Sequence, residues 1–239
     1  MAGSVLLTTV APALGCIVAW AMFLSPLRAV LQVRKSKAIG AFNPLPLVAM
    51  WANCAGWLVY SYLTRDIYVL ASNEPGLILA TFMTITCYGF ADEKARERLL
   101  TGVLFFSLLL SCAGAFITFG GLTHEAMVST WGFVTVAILL IFYAAPLSSI
   151  AEVLSTRSSA ALNEPLAFAA IVNGALWAAY GWAVADPFIW APNFVGAAFG
   201  LLQVALCKTF PSKASDRVQF EEGAALTARQ LEVGAMQRI

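Results

Sequence analysis

Long apolar stretches separated by short polar connections follow one another along this chain. A membrane-spanning helix needs about 20 mostly apolar residues, and seven stretches come close to or exceed that length. Their expected bounds are residues 5–30, 46–63, 67–89, 99–119, 126–146, 165–184 and 187–210. The pattern predicts an all-α integral membrane protein with seven transmembrane helices, followed by a polar tail.

An internal repeat with an offset of 120 residues underlies this pattern. The first copy contains Asn53, Trp57, Tyr60, Asp66, Asn73 and Gly76, and the second contains Asn173, Trp177, Tyr180, Asp186, Asn193 and Gly196. The stretch 99–119 has no counterpart. Three helices return the chain on the opposite side of a membrane, so one extra helix makes two three-helix units parallel.

The repeat therefore predicts two parallel three-helix bundles joined by one linker helix, a 3-1-3 plan. The expected division is a first repeat at 5–90, a linker helix at 99–119, a second repeat at 126–210 and a cytoplasmic tail at 211–239. In transporters built from such repeats, the substrate site lies near the middle of the membrane, where the repeats meet.

Composition supports a membrane protein and excludes several other classes. The 239 residues are 60% hydrophobic and 11% charged, with a mean hydropathy of +0.80, whereas soluble domains are about 45–50% apolar and about 25% charged. A net charge of +1 without a basic patch gives no reason to expect a nucleic-acid partner. The five cysteines all lie in apolar stretches, which argues against a disulfide framework or a metal site.

The distribution of lysine and arginine predicts the orientation. Thirteen of the fourteen lie in the odd-numbered connections or after the seventh helix, and only Arg65 lies on the other side. Positive charges accumulate on the cytoplasmic side of membrane proteins. We therefore expect an N-terminus outside the cell and a cytoplasmic C-terminus.

Paired asparagines and tryptophans are the candidate binding residues. An amide buried in an apolar medium needs hydrogen-bond partners, and one alternative is that these amides only join helices. The occurrence of two pairs on repeat-related helices favours a polar site on the central axis. An indole four residues after an amide lies on the same helix face, a combination that suits a neutral polyol. The candidates are Asn53, Asn73, Asn173, Asn193, Trp57 and Trp177.

Four prolines on the cytoplasmic side are candidate hinges: Pro26, Pro46, Pro146 and Pro165. Proline inside a helix removes a backbone hydrogen bond and allows a kink. The alternative for Pro46 and Pro165 is the first turn of a helix, where proline is well tolerated.

The expected spans lack the chemistry of pumps and enzymes. Buried acids or lysines mark proton relays and ion-coupled transport, and the predicted spans contain essentially none. There is no nucleotide-binding glycine-rich motif and no clustered acid–base or metal set. The sequence therefore predicts passive transport without a cofactor, not an enzyme.

The four prolines, the paired Asn73…Gly76 and Asn193…Gly196, and the segments 53–60 and 173–181 resemble the SWEET family of sugar transporters. The resemblance extends over about residues 5–210. It implies passive, bidirectional transport of sugars by alternating access, with Asn73 and Asn193 bound to sugar hydroxyls and the prolines as a hinge tetrad. It also implies an outer gate at Tyr60 and Asp186, a pocket wall at Met22 and Phe142, and possible homo-oligomers.

Two departures from the family pattern affect the expectations. Pro46 and Pro165 are 119 residues apart, so the repeats differ by a local slip at these helix starts. The stretch 163–165, Asn-Glu-Pro, is also unlike the family pattern, which affects the expected gate at that point. Asn53 and Met22 are fairly large for pocket positions, which predicts a narrow cavity and a monosaccharide such as glucose as the substrate. The expected location is the plasma membrane.

Two alternatives remain open from the sequence. A PQ-loop-type carrier of amino acids shares the 3-1-3 plan, although Pro26 and Pro146 are each followed by leucine instead of glutamine. A seven-helix receptor matches the number of spans and the outside N-terminus, but not the internal duplication.

Overall fold

Seven long helices make up the computed structural model, which describes residues 5–40 and 42–212. We name them α1 to α7 in chain order: α1 (Leu6–Ser36), α2 (Leu45–Thr64), α3 (Ile67–Phe90), α4 (Glu93–Phe119), α5 (His124–Thr156), α6 (Glu164–Ala183) and α7 (Pro187–Thr209). No strand occurs in these described ranges. The predicted all-α fold with seven helices in a 3-1-3 plan is confirmed.

Five of the seven helices are long and apolar enough to cross a membrane by length and composition: α1, α4, α5, α6 and α7. Helices α2 and α3 are not in this set, because both carry buried polar residues that lower their hydropathy. These residues are Asn53 and Ser61 in α2 and Ser72, Asn73 and Thr84 in α3.

Three helices are longer than the apolar pattern predicted. Helix α4 begins at Glu93 instead of residue 99, because Asp92 caps it by accepting a hydrogen bond from the Ala95 N–H at 2.7 Å. Helices α1 and α5 continue to Ser36 and Thr156. Hydropathy marks only the part of a helix inside the membrane, whereas backbone hydrogen bonding continues into water.

Helices α1 and α5 are each interrupted at related points. The regular part of α1 ends at Leu24 and resumes at Leu27, with Pro26 at the start of the second segment. Helix α5 is interrupted at Tyr143, three residues before Pro146. The first helix of each repeat is therefore divided into two segments, and the break lies in the C-terminal half of the helix.

The two repeats have the same internal arrangement. In each, the third helix packs against both the first and the second: α3 lies against α1 and α2, and α7 lies against α5 and α6. Across the repeats, α1 packs on α6 and α2 packs on α5. Helix α4 contacts α2, α3 and α5. The inner faces of the repeats therefore meet along a central axis.

Helix ends also repeat with the same offset. Asp66 caps α3 and Asp186 caps α7, each accepting two backbone N–H bonds. Four residues that end helices have the left-handed backbone conformation: Lys37, Arg65, Arg157 and Ala185, with φ between 55° and 60°. They form two pairs separated by one repeat, so backbone geometry is retained even where the residue type differs.

Large apolar side chains on the outer faces of the bundle are exposed. Ile78, Leu108 and Phe133 are each 65–70% exposed. A helix that is apolar all round is suited to lipid instead of water. The outer surface is therefore the one expected of a protein embedded in a bilayer.

Candidate functional site

A cavity of about 530 Å³ lies between the two repeats. Its walls include all eight residues predicted to bind the substrate: Met22, Asn53, Trp57, Asn73, Phe142, Asn173, Trp177 and Asn193. Small-molecule sites in proteins have volumes of about 300–1,000 Å³. The fold thus brings together residues from both halves of the sequence around a space large enough for a small solute.

The amides of Asn73 and Asn193 have matching orientations. Each Nδ2 donates to the backbone carbonyl four residues earlier, Val69 at 2.9 Å and Ile189 at 2.8 Å. None of the described hydrogen bonds uses either Oδ1. Both amides are therefore fixed by their own helix in a way that leaves the carbonyl oxygen available to a bound molecule.

The amides of Asn53 and Asn173 are unsatisfied. The Oδ1 atom of each is buried and has no hydrogen-bond partner within the described part of the chain. A buried acceptor without a partner is costly, and both side chains line the cavity. These two oxygens are themselves covered in this conformation, so the acceptors left free at the cavity are those of Asn73 and Asn193, and they suit a ligand with hydroxyl donors.

Two indoles flank the cavity. Trp57 and Trp177 are both buried and each makes an edge contact with the tyrosine three residues later, at 5.5 Å for Tyr60 and 5.9 Å for Tyr180. A Cβ on Gly15 of α1 would lie 2.9 Å from Nε1 of Trp177. The absence of a side chain at residue 15 therefore makes room for this indole.

Two tyrosine–aspartate pairs close one end of the cavity. The Tyr60 hydroxyl donates to the Asp186 carboxylate at 2.9 Å, and the Tyr180 hydroxyl donates to the Asp66 carboxylate at 2.7 Å. Tyr60 of α2 thus bonds to the residue that caps α7, and Tyr180 of α6 bonds to the residue that caps α3. Each bond therefore crosses from one repeat to the other. Burial raises the pKa of the Asp186 carboxyl, and its hydrogen bonds from Tyr60 and from two backbone N–H groups oppose that rise.

An apolar cluster surrounds these pairs and completes the seal. It contains buried residues from both repeats and from α4: Cys16, Trp57, Tyr60, Val69, Ile117, Trp131, Leu139, Trp177, Tyr180 and Ile189. We call this group the sealing cluster. It lies at the end of the bundle that carries Arg65, the cation-poor end.

The cavity walls continue toward the opposite, cation-rich end. Polar residues near helix ends contribute there, among them Asn43, Asn163 and Gln203. Pro26 and Pro46 also line this part. The cavity is therefore closed at the cation-poor end and extends toward the end with most lysines and arginines.

The four prolines have two kinds of position. Pro26 lies at the break in α1, and Pro146 lies in the second segment of α5, just after the break. Pro46 and Pro165 lie in the first turns of α2 and α6, where proline costs no helical hydrogen bond. Their role as hinges stays a prediction.

None of the described residues that line the cavity is Asp, Glu, Lys or Arg. A charged ligand would therefore lack an oppositely charged partner within hydrogen-bond distance. Sequence reasoning identified Tyr60 and Asp186 at the closed end but missed Tyr180 and Asp66. The 120-residue offset identifies both as their repeat partners.

Comparison with known proteins gives a consistent result. A family model described as "Sugar efflux transporter for intercellular exchange" matches residues 11–96 and again 129–215. "Bidirectional sugar transporter SWEET15" from Oryza sativa is 30% identical over 203 residues, a match that covers 84% of this chain and 63% of the rice protein. The chain thus spans less than two thirds of that relative.

Two further proteins are similar over most of this chain. "Bidirectional sugar transporter N3" from Medicago truncatula is 29% identical over 221 residues, which cover 89% of this chain and 80% of that protein. The solved structure of a eukaryotic SWEET transporter superposes with a TM-score of 0.81 at 24% identity, over 89% of this chain and all of the other. That structure supports the fold, and the family model matches both halves around the cavity. The chain therefore belongs to the MtN3/saliva family, the SWEET transporters.

Proposed function

We propose that this protein is a passive, bidirectional transporter of small neutral sugars, with a monosaccharide such as glucose as its substrate. The observation that carries the proposal is the cavity between the repeats, in which four amides and two indoles surround a space without charged side chains. Members of the same family carry the description of bidirectional sugar transporters.

Hydrogen-bond chemistry supports a polyol as the ligand. The acceptor oxygens of Asn73 and Asn193 are left free by the bonds of their Nδ2 atoms. Those of Asn53 and Asn173 have no partner in the described part of the chain but are covered, so they reach a ligand only when their side chains turn. Sugar hydroxyls donate to such oxygens, while the apolar face of a sugar ring packs on an indole. Trp57 and Trp177 supply the indoles.

Alternating access provides the mechanism. In the conformation described above, the tyrosine–aspartate pairs close the cation-poor end while the cavity extends toward the other end. Transport requires a second conformation in which these bonds break and the cation-rich end closes. We propose that this closure bends α1 and α5 at their breaks near Pro26 and Pro146, with Pro46 and Pro165 completing the hinge set.

The proposed preference for a monosaccharide is based on the side chains that line the cavity and not on the volume of the cavity. The cavity of about 530 Å³ includes its cation-rich entrance, so its volume alone does not select one sugar. We propose that the fairly large side chains of Met22 and Asn53, which both line the cavity, narrow it. Robust uptake of sucrose together with no uptake of hexoses would contradict this preference.

The alternatives are less consistent with the site. An amino-acid carrier must bind a carboxylate and an ammonium group, and the described cavity walls offer neither charge. A receptor function does not account for the finding that one transporter family model matches both halves of the chain. The orientation with a cytoplasmic C-terminus, the plasma membrane as the location and a homo-oligomeric state belong to the same proposal.

Glucose uptake into proteoliposomes without an ion gradient tests the function. We expect wild-type protein to equilibrate radiolabelled glucose and the double variant Asn73→Ala, Asn193→Ala to lose this flux by more than tenfold. Gln32→Ala, which removes an amide at an exposed position of α1, is the matched control and should transport normally.

Folding of each variant is checked by size-exclusion profile and unfolding temperature. An absence of glucose flux in folded wild-type protein would contradict the proposed substrate. Normal flux in the double variant would contradict the binding site and leave the transporter class intact.

A further inference from the structure

The helix that bears Asn73 receives a hydrogen bond from the first helix of its own repeat. Pro75 lies inside α3 and has no N–H, so the carbonyl of Ala71 loses its partner four residues later. The indole Nε1 of Trp20 in α1 donates to this carbonyl at 3.0 Å. The bond thus satisfies a freed carbonyl two residues before the amide.

The helix that bears Asn193 also receives a bond from the first helix of its own repeat, but at a carbonyl that its proline does not free. Pro192 lies inside α7, directly before the amide. The hydroxyl of Tyr143, the residue at the break in α5, donates to the Pro192 carbonyl at 2.9 Å. This hydroxyl also lies 2.5 Å from the position that a Cβ on Gly196 would occupy, so the approach requires glycine there.

The residues that form these two bonds are not equivalent positions of the two repeats. The position equivalent to Tyr143 is Phe23, whose ring lies 2.7 Å from a Cβ placed on Gly76. Phe23 has no hydroxyl, and its contact with α3 at this glycine is a packing contact. Each repeat therefore holds its third helix beside the amide, but with an aromatic residue at a different position of the first helix.

We propose that Trp20 and Tyr143 are positioning residues for sugar binding: each fixes the backbone next to one amide, Trp20 for Asn73 and Tyr143 for Asn193. The inference deepens the proposed function and rests on it for the identity of the ligand. A proline near each amide removes one bond from the hydrogen-bonding ladder of its helix. Trp20 replaces the bond lost at Ala71, whereas Tyr143 adds a bond at Pro192, one turn after the Phe188 carbonyl that loses its partner.

Rigidity beside the amides has a direct consequence for affinity. A preorganised site loses less conformational freedom when it binds its ligand. Loss of either bond should therefore weaken binding. Trp20 is not among the described residues that line the cavity, whereas Tyr143 is, so for Tyr143 the measurement that needs no substrate separates positioning from direct contact.

The test compares Tyr143→Phe and Trp20→Phe with wild-type protein. Phenylalanine already occupies the repeat-equivalent position 23, packed on a glycine, so Tyr143→Phe is expected to fold. The matched controls make the same chemical changes at exposed positions: Tyr62→Phe, where the side chain is 63% exposed, and Trp182→Phe, where it is 71% exposed.

Two measurements are made on protein in nanodiscs and proteoliposomes. The first is the KM for glucose and the maximal flux per folded protein. We expect each test variant to raise KM about 2- to 10-fold, as the loss of one hydrogen bond does, with maximal flux within about twofold of wild type. A purely structural role would instead lower the amount of folded protein and leave KM unchanged.

The second measurement is hydrogen–deuterium exchange by mass spectrometry, which needs no substrate. Tyr143→Phe should increase exchange in residues 193–197 of α7 and not in α3, and Trp20→Phe should increase exchange in residues 73–77 of α3 and not in α7. Unchanged exchange in these segments would overturn the proposal. If wild-type protein fails to transport glucose, the proposed substrate is wrong, and the exchange pattern alone still decides whether Trp20 and Tyr143 position the amides.

Discussion

Removal of one tyrosine hydroxyl at the cation-poor end should open the sealing cluster. The variant is Tyr60→Phe, which keeps the ring in contact with Trp57 and Phe188 and removes only the bond to Asp186. The second pair, Tyr180 with Asp66, remains intact in this variant.

The size of the effect follows from the bond that is lost. A hydrogen bond to a carboxylate contributes about 1.5–3 kcal/mol. In the open state the Tyr60 hydroxyl binds water instead, so the lower end of this range applies to the difference between closed and open states. About 1.4 kcal/mol changes an equilibrium roughly tenfold. We therefore expect the open fraction to rise about tenfold in Tyr60→Phe, and more in the double variant with Tyr180→Phe.

A native cysteine reports this opening. Cys16 belongs to the sealing cluster and is only 5% exposed, so a maleimide reaches it when the cluster separates. The assay measures the rate of maleimide labelling in nanodiscs, and peptide mass spectrometry distinguishes Cys16 from the exposed Cys112. Labelling of Cys112 and the variant Tyr62→Phe serve as controls and should not change.

Unchanged labelling of Cys16 would contradict this prediction. If Tyr60→Phe and the double variant label Cys16 at the wild-type rate, while their unfolding temperatures stay close to wild type, the tyrosine–aspartate bonds do not hold the seal. The closed end would then depend on apolar packing alone.

Two glycine substitutions give further predictions. Gly174→Ala places a Cβ 2.6 Å from the Asn193 carbonyl oxygen and 2.8 Å from the Ala197 nitrogen. Because these backbone atoms cannot move aside locally, we expect a loss of about 1–3 kcal/mol in stability. The measurement is the unfolding temperature, which should fall. Gly15→Ala places a Cβ 2.9 Å from the Trp177 indole, so we expect a several-fold higher KM for glucose in flux assays, with a smaller change in unfolding temperature.

The control for both substitutions is Gly89→Ala, because a Cβ at residue 89 meets nothing within 4 Å. It should leave both the unfolding temperature and KM near wild type. An unchanged unfolding temperature for Gly174→Ala would mean that α6 and α7 separate without cost. An unchanged KM for Gly15→Ala would mean that Trp177 does not contact the sugar.

Much of the fold follows from the sequence because membrane helices obey a simple length rule and the repeat fixes their arrangement. The offset predicted the asparagines and tryptophans of the cavity wall, and the family resemblance added Met22 and Phe142; all eight line one cavity. The ends of helices were predicted less well. Charged residues 93–98 extend α4 into the aqueous connection, and hydropathy contains no information about that extension.

Contacts between helices were the part that sequence reasoning missed. The bond from Tyr143 to the Pro192 carbonyl joins residues 49 positions apart and has no equivalent in the first repeat, so the offset cannot reveal it. The bond from Trp20 to the Ala71 carbonyl joins residues 51 positions apart in two different helices. Both depend on the distance between helix axes, which a one-dimensional pattern does not contain.

The left-handed residues at the helix ends have a mechanical consequence. Arg65 and Ala185 adopt a conformation that glycine enters more easily, and each is followed by an aspartate that caps the next helix. Non-glycine residues occupy this region only where the surrounding structure holds them there, and at both turns the capping aspartate also accepts the tyrosine bond from the other repeat. The same two carboxylates therefore fix the short turns and join the repeats, so loss of either one would loosen a turn and a closing bond together.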